Sequence, residues 1–145
     1  INILWQTGKL YSEKLQEQYG GKQNDQLQIM PFIKNMEDAY AADIIISRAG
    51  AGTISELAVA EKATMLIPSP NVAEDHQTQN AQALAEKGAA LLFRENGTNE
   101  EFLKEVDKLI AQKNELEKNI KQFALPDAAK HIAEEVLKLV EKNAQ

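Results

Sequence analysis

Cysteine is missing from this sequence, which rules out disulfides and thiolate metal sites and fits a cytoplasmic protein. Basic residues are outnumbered. The 16 Lys and Arg stand against 22 Asp and Glu, and a net charge of −6 argues against a general nucleic-acid surface or a polybasic membrane anchor. No apolar run approaches the roughly 18 residues needed to span a bilayer, and nothing at the start resembles a signal peptide. Histidine is scarce too: His76 and His131 are too isolated to suggest a metal or a triad and read as surface residues. Internal repeats, low-complexity segments and interdomain linkers are lacking, so one domain is expected across residues 1–145.

What remains is an ordinary globular composition, 43% apolar against 26% charged, long enough for a real core. The chain begins at Ile1, directly in a strand-like run, which predicts a piece of something longer. Ile1 to Gln6 reads as a strand, Thr7-Gly8-Lys9 as a turn, and Tyr11, Leu15 and Tyr19 fall four apart on one face of a helix ended by Gly20-Gly21. Leu27 to Met30 is a short strand closed by Pro31, and a short helix from about Glu37 to Ala42 follows. Asp43 to Ile46, Thr64 to Pro68 and Ala89 to Phe93 read as strands, with a helix after Gly52 and another from about Asp75 to Lys87 between them. The rest is helical. Phe102, Leu103, Val106, Leu109 and Ile110 form one stripe, Leu116, Ile120 and Phe123 a second, and Ala128, Ile132, Val136, Leu139 and Val140 a third after Pro126-Asp127. Such alternation implies an α/β fold, a doubly wound, Rossmann-like parallel sheet with right-handed crossovers.

The stretch from Asp43 to Leu57 organises the chain. Gly50 and Gly52 open a tight turn, and Thr53-Ile54-Ser55-Glu56 reads as a capping box with Thr53 as N-cap and Glu56 at N3. A strand, glycine turn and helix in that order aim free backbone N–H groups at the carboxyl edge of the sheet, a ready site for a phosphate or another anion. Four loops are expected at that edge: Thr7 to Lys9, Pro31 to Met36, Ser47 to Thr53 and Ser69 to Asp75. On the helix after Asp75, Gln77 lies seven before Leu84 on the core-facing stripe and Asn80 flanks it. Polar side chains there need partners, either a ligand or the loop backbone. Arg48 is open between a phosphate and a local carboxylate, Glu56 between a cap and a ligand, and the Lys/Glu-rich stretch from Glu100 to Lys121 reads as a solvated helical face.

Several ordered motifs go beyond the glycine turn. Ser47 to Leu57 (SRAGAGTISEL), Ile67 to Val72 (IPSPNV), His76 to Ala81 (HQTQNA) and Leu125 to Ala128 (LPDA), preceded by Gln6-Thr7-Gly8-Lys9 and Phe32 to Met36, closely resemble the MurG family. Its members are bacterial N-acetylglucosaminyltransferases of the two-domain GT-B fold. The resemblance covers nearly the whole chain and implies the C-terminal, donor-binding half.

The resemblance further implies that Ala51, Gly52, Thr53, Ile54, Ser55 and Glu56 hold the nucleotide of UDP-N-acetylglucosamine. Their backbone and hydroxyls face the diphosphate, and the Glu56 carboxylate takes ribose hydroxyls. Ile33 contacts uracil through its backbone, and Gln77 binds the sugar hydroxyls. The implied reaction is inverting transfer of N-acetylglucosamine to the C4 hydroxyl of a lipid-linked muramyl-pentapeptide in peptidoglycan synthesis, at the cytoplasmic face of the cell membrane, with no cofactor and no metal. The family's amino-terminal acceptor domain, with its candidate general-base histidine, is not in this sequence, nor is the first strand of the donor domain with its glycine-serine loop. With strand order 3-2-1-4-5-6 that strand would lie between the Ile1 to Gln6 and Asp43 to Ile46 strands, so these two are expected not to pair directly. Two rivals stand beside this reading: the donor half of another GT-B transferase, split or glycolipid-specific, and a non-catalytic nucleotide-binding or receiver-like module.

Overall fold

The computed structural model describes residues 1–70 and 75–143. The chain divides into two compact units, Ile1–Ala42 and the remainder from Asp43. In the first, β1 (Ile3–Gln6) pairs in parallel with β2 (Leu27–Met30), connected through α1 (Lys9–Tyr19), and α2 (Met36–Tyr40) follows. Gly8, at φ 72°, makes the sharp exit from β1 that a residue with a Cβ would resist. Trp5 of β1 and Tyr19 of α1 bring their rings to 6.0 Å. Ile29 is the unit's buried strand residue, and glutamines satisfy its backbone. Gln16 Nε2 donates to its carbonyl at 2.9 Å and Gln23 Oε1 accepts from its amide at 2.9 Å, so side chains blunt the outer edge of β2.

The second unit is a three-stranded parallel sheet in the order β3-β4-β5, formed by Ile45–Ser47, Thr64–Leu66 and Leu91–Leu92. Between them run α3 (Ala51–Val59) and α4 (His76–Glu86), and α5 (Asn99–Ala111), α6 (Lys113–Ile120) and α7 (Ala128–Asn143) complete it. β4 is the centre: Thr64, Met65 and Leu66 are fully buried, as a parallel strand covered on both faces must be. One core cluster joins Ala63, Met65 and Leu91 of the sheet region to Leu109 and Leu116 of α5 and α6, with Ile44, Phe93, Phe102 and Val106 packed around it. At the end of α4, Gly88 sits at φ 63°, Gly88 N donates to Ala85 O and Ala89 N to Leu84 O. These are the two bonds of a Schellman motif, which turns the chain into β5.

The parallel α/β architecture agrees with the sequence: β1 and β2 form one parallel pair, and β3, β4 and β5 a second parallel sheet. Several boundaries and faces differ. The third strand runs Ile45–Ser47 rather than from Asp43, its ladder beginning where Ile45 meets Thr64, and Asp43 lies ahead of it in an exposed ion pair with Lys113 at 3.3 Å. The stripe on α5 is narrower than expected: Phe102, Val106 and Leu109 pack inward while Leu103 and Ile110 face out. The apolar stripe of α7 (Ile132, Val136, Leu139, Val140) is exposed along its length. The polar loop expected from Ser69 to Glu74 is described only at Ser69 and Pro70, Asn71 to Glu74 lying outside the described residues.

Leu109 is 0% exposed and Leu139 60%. Leu109→Ala is therefore expected to cost this chain about 2–5 kcal/mol in denaturant unfolding and Leu139→Ala less than about 0.5 kcal/mol. Equal losses would contradict this placement of the core.

Candidate functional site

The carboxyl ends of β3, β4 and β5 finish level with one another, because the ladder continues one step past each: Ile67 N donates to Ser47 O at 2.8 Å and Phe93 N to Leu66 O at 3.0 Å. Three loops therefore leave the sheet side by side, and three polar side chains tie them down. Arg48, directly after β3, pairs with Glu95 beyond β5 at 2.8 Å, and its Nη1 donates to the carbonyl of Ile67 at 3.3 Å and makes a longer contact with that of Pro68. Gln77, in the first turn of α4, accepts a hydrogen bond from Ser69 N at 2.9 Å. Asn80, one turn on, donates through Nδ2 to Ala49 O at 3.2 Å. The partners sought by the polar residues on the inner stripe of α4 are thus loop backbone. The Gln77 Nε2 group meets no acceptor among the described residues.

The glycine turn departs from the expected cap. The N-cap of α3 is Gly50, extended at φ −67° and ψ 143° with no side-chain cap, and Ile54 N closes the first helical bond onto Gly50 O at 3.0 Å. The capping box predicted on Thr53 and Glu56 is not formed. The chain enters the helix three residues earlier, Thr53 becomes N3, and Glu56 moves from the first turn to the second, where it is exposed. The consequence is a bare helix start. The amides of Ala51, Gly52 and Thr53 precede the first intrahelical bond, and among the described residues nothing takes them up. A Cβ on Gly52 would meet no described residue within 4 Å. The helix dipole adds partial positive charge at the same spot. Ser55 turns its hydroxyl back to Ala51 O at 3.0 Å, while Ile54 is half-buried above Leu57 and Ala58.

Of the residues singled out in the sequence, Ala51, Gly52, Thr53, Ile54, Ser55 and Glu56 thus form the first two turns of α3, and Gln77 opens α4 on the same sheet edge. Ile33 belongs to the first unit. There its amide donates to Gln6 Oε1 at 2.8 Å, after a turn in which Thr7 N and Gly8 N bond to Met30 O and Pro31 O. Sequence reasoning left Glu95 undetected as the partner of Arg48, since a loop of mixed charge carries no signal for it, whereas the Asn80 bond was signalled by a polar residue beside an apolar stripe. Among the described residues no group of three His, Cys, Asp or Glu gathers where a metal ion could be held.

Arg48 holds the Glu95 carboxyl below its ordinary range, chiefly by its hydrogen bond, with desolvation opposing and the guanidinium charge adding a lesser lowering effect. A depressed carboxylate contributes stability above its unfolded pKa, about 4.3, and loses it as pH falls through the lower folded value. Both partners are half exposed, so the contribution is at most about 1 kcal/mol. Unfolding free energies of wild type and Glu95→Gln should accordingly converge as pH drops below about 4; a gap that persists or widens in acid would contradict the assignment.

The glycosyltransferase family 28 C-terminal domain matches residues 1–136. The chain is 50% identical over 145 residues to the UDP-N-acetylglucosamine--N-acetylmuramyl-(pentapeptide) pyrophosphoryl-undecaprenol N-acetylglucosamine transferase of Flavobacterium psychrophilum, covering 97% of this chain and 39% of that protein. It is 45% identical over 144 residues to the protein of the same description from Cytophaga hutchinsonii, with 97% and 38% covered. The crystal structure of Acinetobacter baumannii MurG superposes with a TM-score of 0.81 at 34% identity, covering 95% of this chain and 41% of that one. The chain thus spans about 39% of the length of the first of these relatives.

Proposed function

This chain belongs to the glycosyltransferase family 28 C-terminal domains, and on that premise we propose that it is the UDP-N-acetylglucosamine-binding part of an inverting N-acetylglucosaminyltransferase acting on lipid-linked muramyl-pentapeptide. The observation that carries the reading is the uncapped start of α3. Its unpaired amides, at the carboxyl edge of a parallel sheet, suit a diphosphate.

In the proposed reaction the acceptor's C4 hydroxyl attacks the anomeric carbon, the bond from that carbon to the phosphate oxygen breaks, and UDP departs with an added negative charge. The hydroxyl proton passes to a base assigned to the part of the enzyme outside this chain. Donors already aimed at the leaving phosphate stabilise that charge without reorganising, which is how a helix N-terminus serves this step. The amides of Ala51, Gly52 and Thr53, with the hydroxyl of Thr53, receive the diphosphate in this scheme, and that of Ser55 joins them by releasing the Ala51 carbonyl. Ile54 packs beneath them. Glu56, on the exposed side of the second turn, accepts the ribose hydroxyls, and Gln77 offers its Nε2 group to the sugar hydroxyls. Ile33 meets uracil through its backbone. Its carbonyl would accept from the uracil N3–H, and its amide must first exchange the Gln6 oxygen for one on the base. No helix among the described residues is long and apolar enough to cross a membrane. The lipid acceptor and the membrane face are assigned to the part of the enzyme outside this chain.

Calorimetry on the full-length protein tests the reading: UDP-N-acetylglucosamine should bind in preference to UDP-glucose or a purine nucleotide sugar. Glu56→Gln should weaken donor binding by roughly 1.5–3 kcal/mol, the scale of a hydrogen bond to a charged group, with little change in melting temperature. Absence of donor preference would overturn the reading, and unchanged affinity in the variant would remove Glu56 from it.

A further inference from the structure

A peptide unit is planar, and with no cis bond among the described residues its carbonyl and amide point in opposite directions. Whatever fixes the Ala49 carbonyl therefore also aims the Gly50 amide. That group is Asn80, reaching from α4 across 31 residues of sequence to donate to Ala49 O at 3.2 Å. The next carbonyl, that of Gly50, is held by Ile54 N at 3.0 Å. With both carbonyls around Gly50 committed to the protein, the amides from Gly50 to Thr53 are the groups left over, and none of them bonds to a described residue.

Gly50 makes this hold necessary. Its observed φ of −67° is open to any residue, and a Cβ there would meet nothing closer than Thr53 Oγ1 at 3.8 Å, so the glycine is not demanded by the conformation seen. A glycine also accepts positive φ at no steric cost, which leaves the Ala49–Gly50 peptide plane free to turn over and swing its amide away from the sheet edge. Ala49 itself is fully buried, so water cannot stand in for Asn80 at its carbonyl.

We propose that Asn80 is a positioning residue for the donor diphosphate: by holding the Ala49 carbonyl it fixes the orientation of the glycine turn and presents the amides at the start of α3 to the phosphates. The inference rests on the donor-binding reading above. Asn80 acts through the turn, without touching the donor, so its removal weakens recognition of the phosphates and leaves recognition of the nucleoside alone.

The test is titration of UDP and of uridine, separately, into the full-length enzyme and its Asn80→Ala and Asn80→Asp variants, with melting temperatures recorded alongside. Asn80→Ala is expected to raise the Kd for UDP about three- to tenfold, the effect of one hydrogen bond, and to change that for uridine less than about twofold. Asn80→Asp keeps the size of the side chain but not the N–H donor, and should give the same phosphate-selective loss; it serves as the test where the alanine variant does not fold. Equal loss for UDP and uridine, or no loss for either, would overturn the proposal by making Asn80 a strut of the fold. A wild-type enzyme that binds UDP no more tightly than uridine would instead overturn the diphosphate reading, and this inference with it.

Discussion

Burial of β4 on both faces is the constraint from which the second unit follows. Thr64, Met65 and Leu66 have no exposure, and each edge of the strand is taken by a parallel neighbour. A parallel neighbour can be reached only by a crossover, so α3 and α4 must return the chain to the start of the sheet each time. All three strands then end together, and every connection that leaves them emerges at one edge. The uncapped start of α3 stands where it does because of that topology. It would be unremarkable at the other end of the sheet, where helices end and their carbonyls, not their amides, are unpaired.

Fixing loops at such an edge takes polar side chains, since apolar ones cannot satisfy a carbonyl or an amide. Arg48, Gln77 and Asn80 divide the task. Arg48 ties the end of β3 to those of β4 and β5, Gln77 takes the amide of Ser69, and Asn80 takes the carbonyl of Ala49. The Arg48 and Asn80 bonds use up carbonyls and a cation, the Gln77 bond an amide, and the backbone donors of the glycine turn are what remains without a partner among the described residues. The proposed preference for an anion arises by subtraction, from the groups that the fold has already used.

Much of this was legible in the sequence because period and punctuation agreed: short apolar runs, glycine turns and striped helices in alternation leave little choice but a parallel α/β sheet. The failures are instructive in the same terms. Thr53-Ile54-Ser55-Glu56 and Thr98-Asn99-Glu100-Glu101 carry the same T-x-x-E pattern, yet only the second forms a capping box. Thr98 takes the extended geometry of an N-cap, whereas Gly50 takes it ahead of Thr53 and leaves that residue inside the helix. The pattern records a compatible spacing, and backbone geometry two or three residues upstream decides whether it is used. Asn80 and Gln77 were legible as polar residues on an apolar face, but a sequence does not say whether loop or ligand answers them. The stripe of α7 was read correctly as a stripe, although a period of apolar residues tells only that a helix can bury one face and not what lies against it.

The central claim, that the backbone at the start of α3 receives the donor diphosphate, is most directly tested by amide-resolved NMR of the full-length protein during titration with UDP-N-acetylglucosamine. The account predicts saturable shifts at the amides of Gly50, Ala51, Gly52 and Thr53, larger than those along the rest of α3. A titration that saturates while these amides stay unmoved would contradict it.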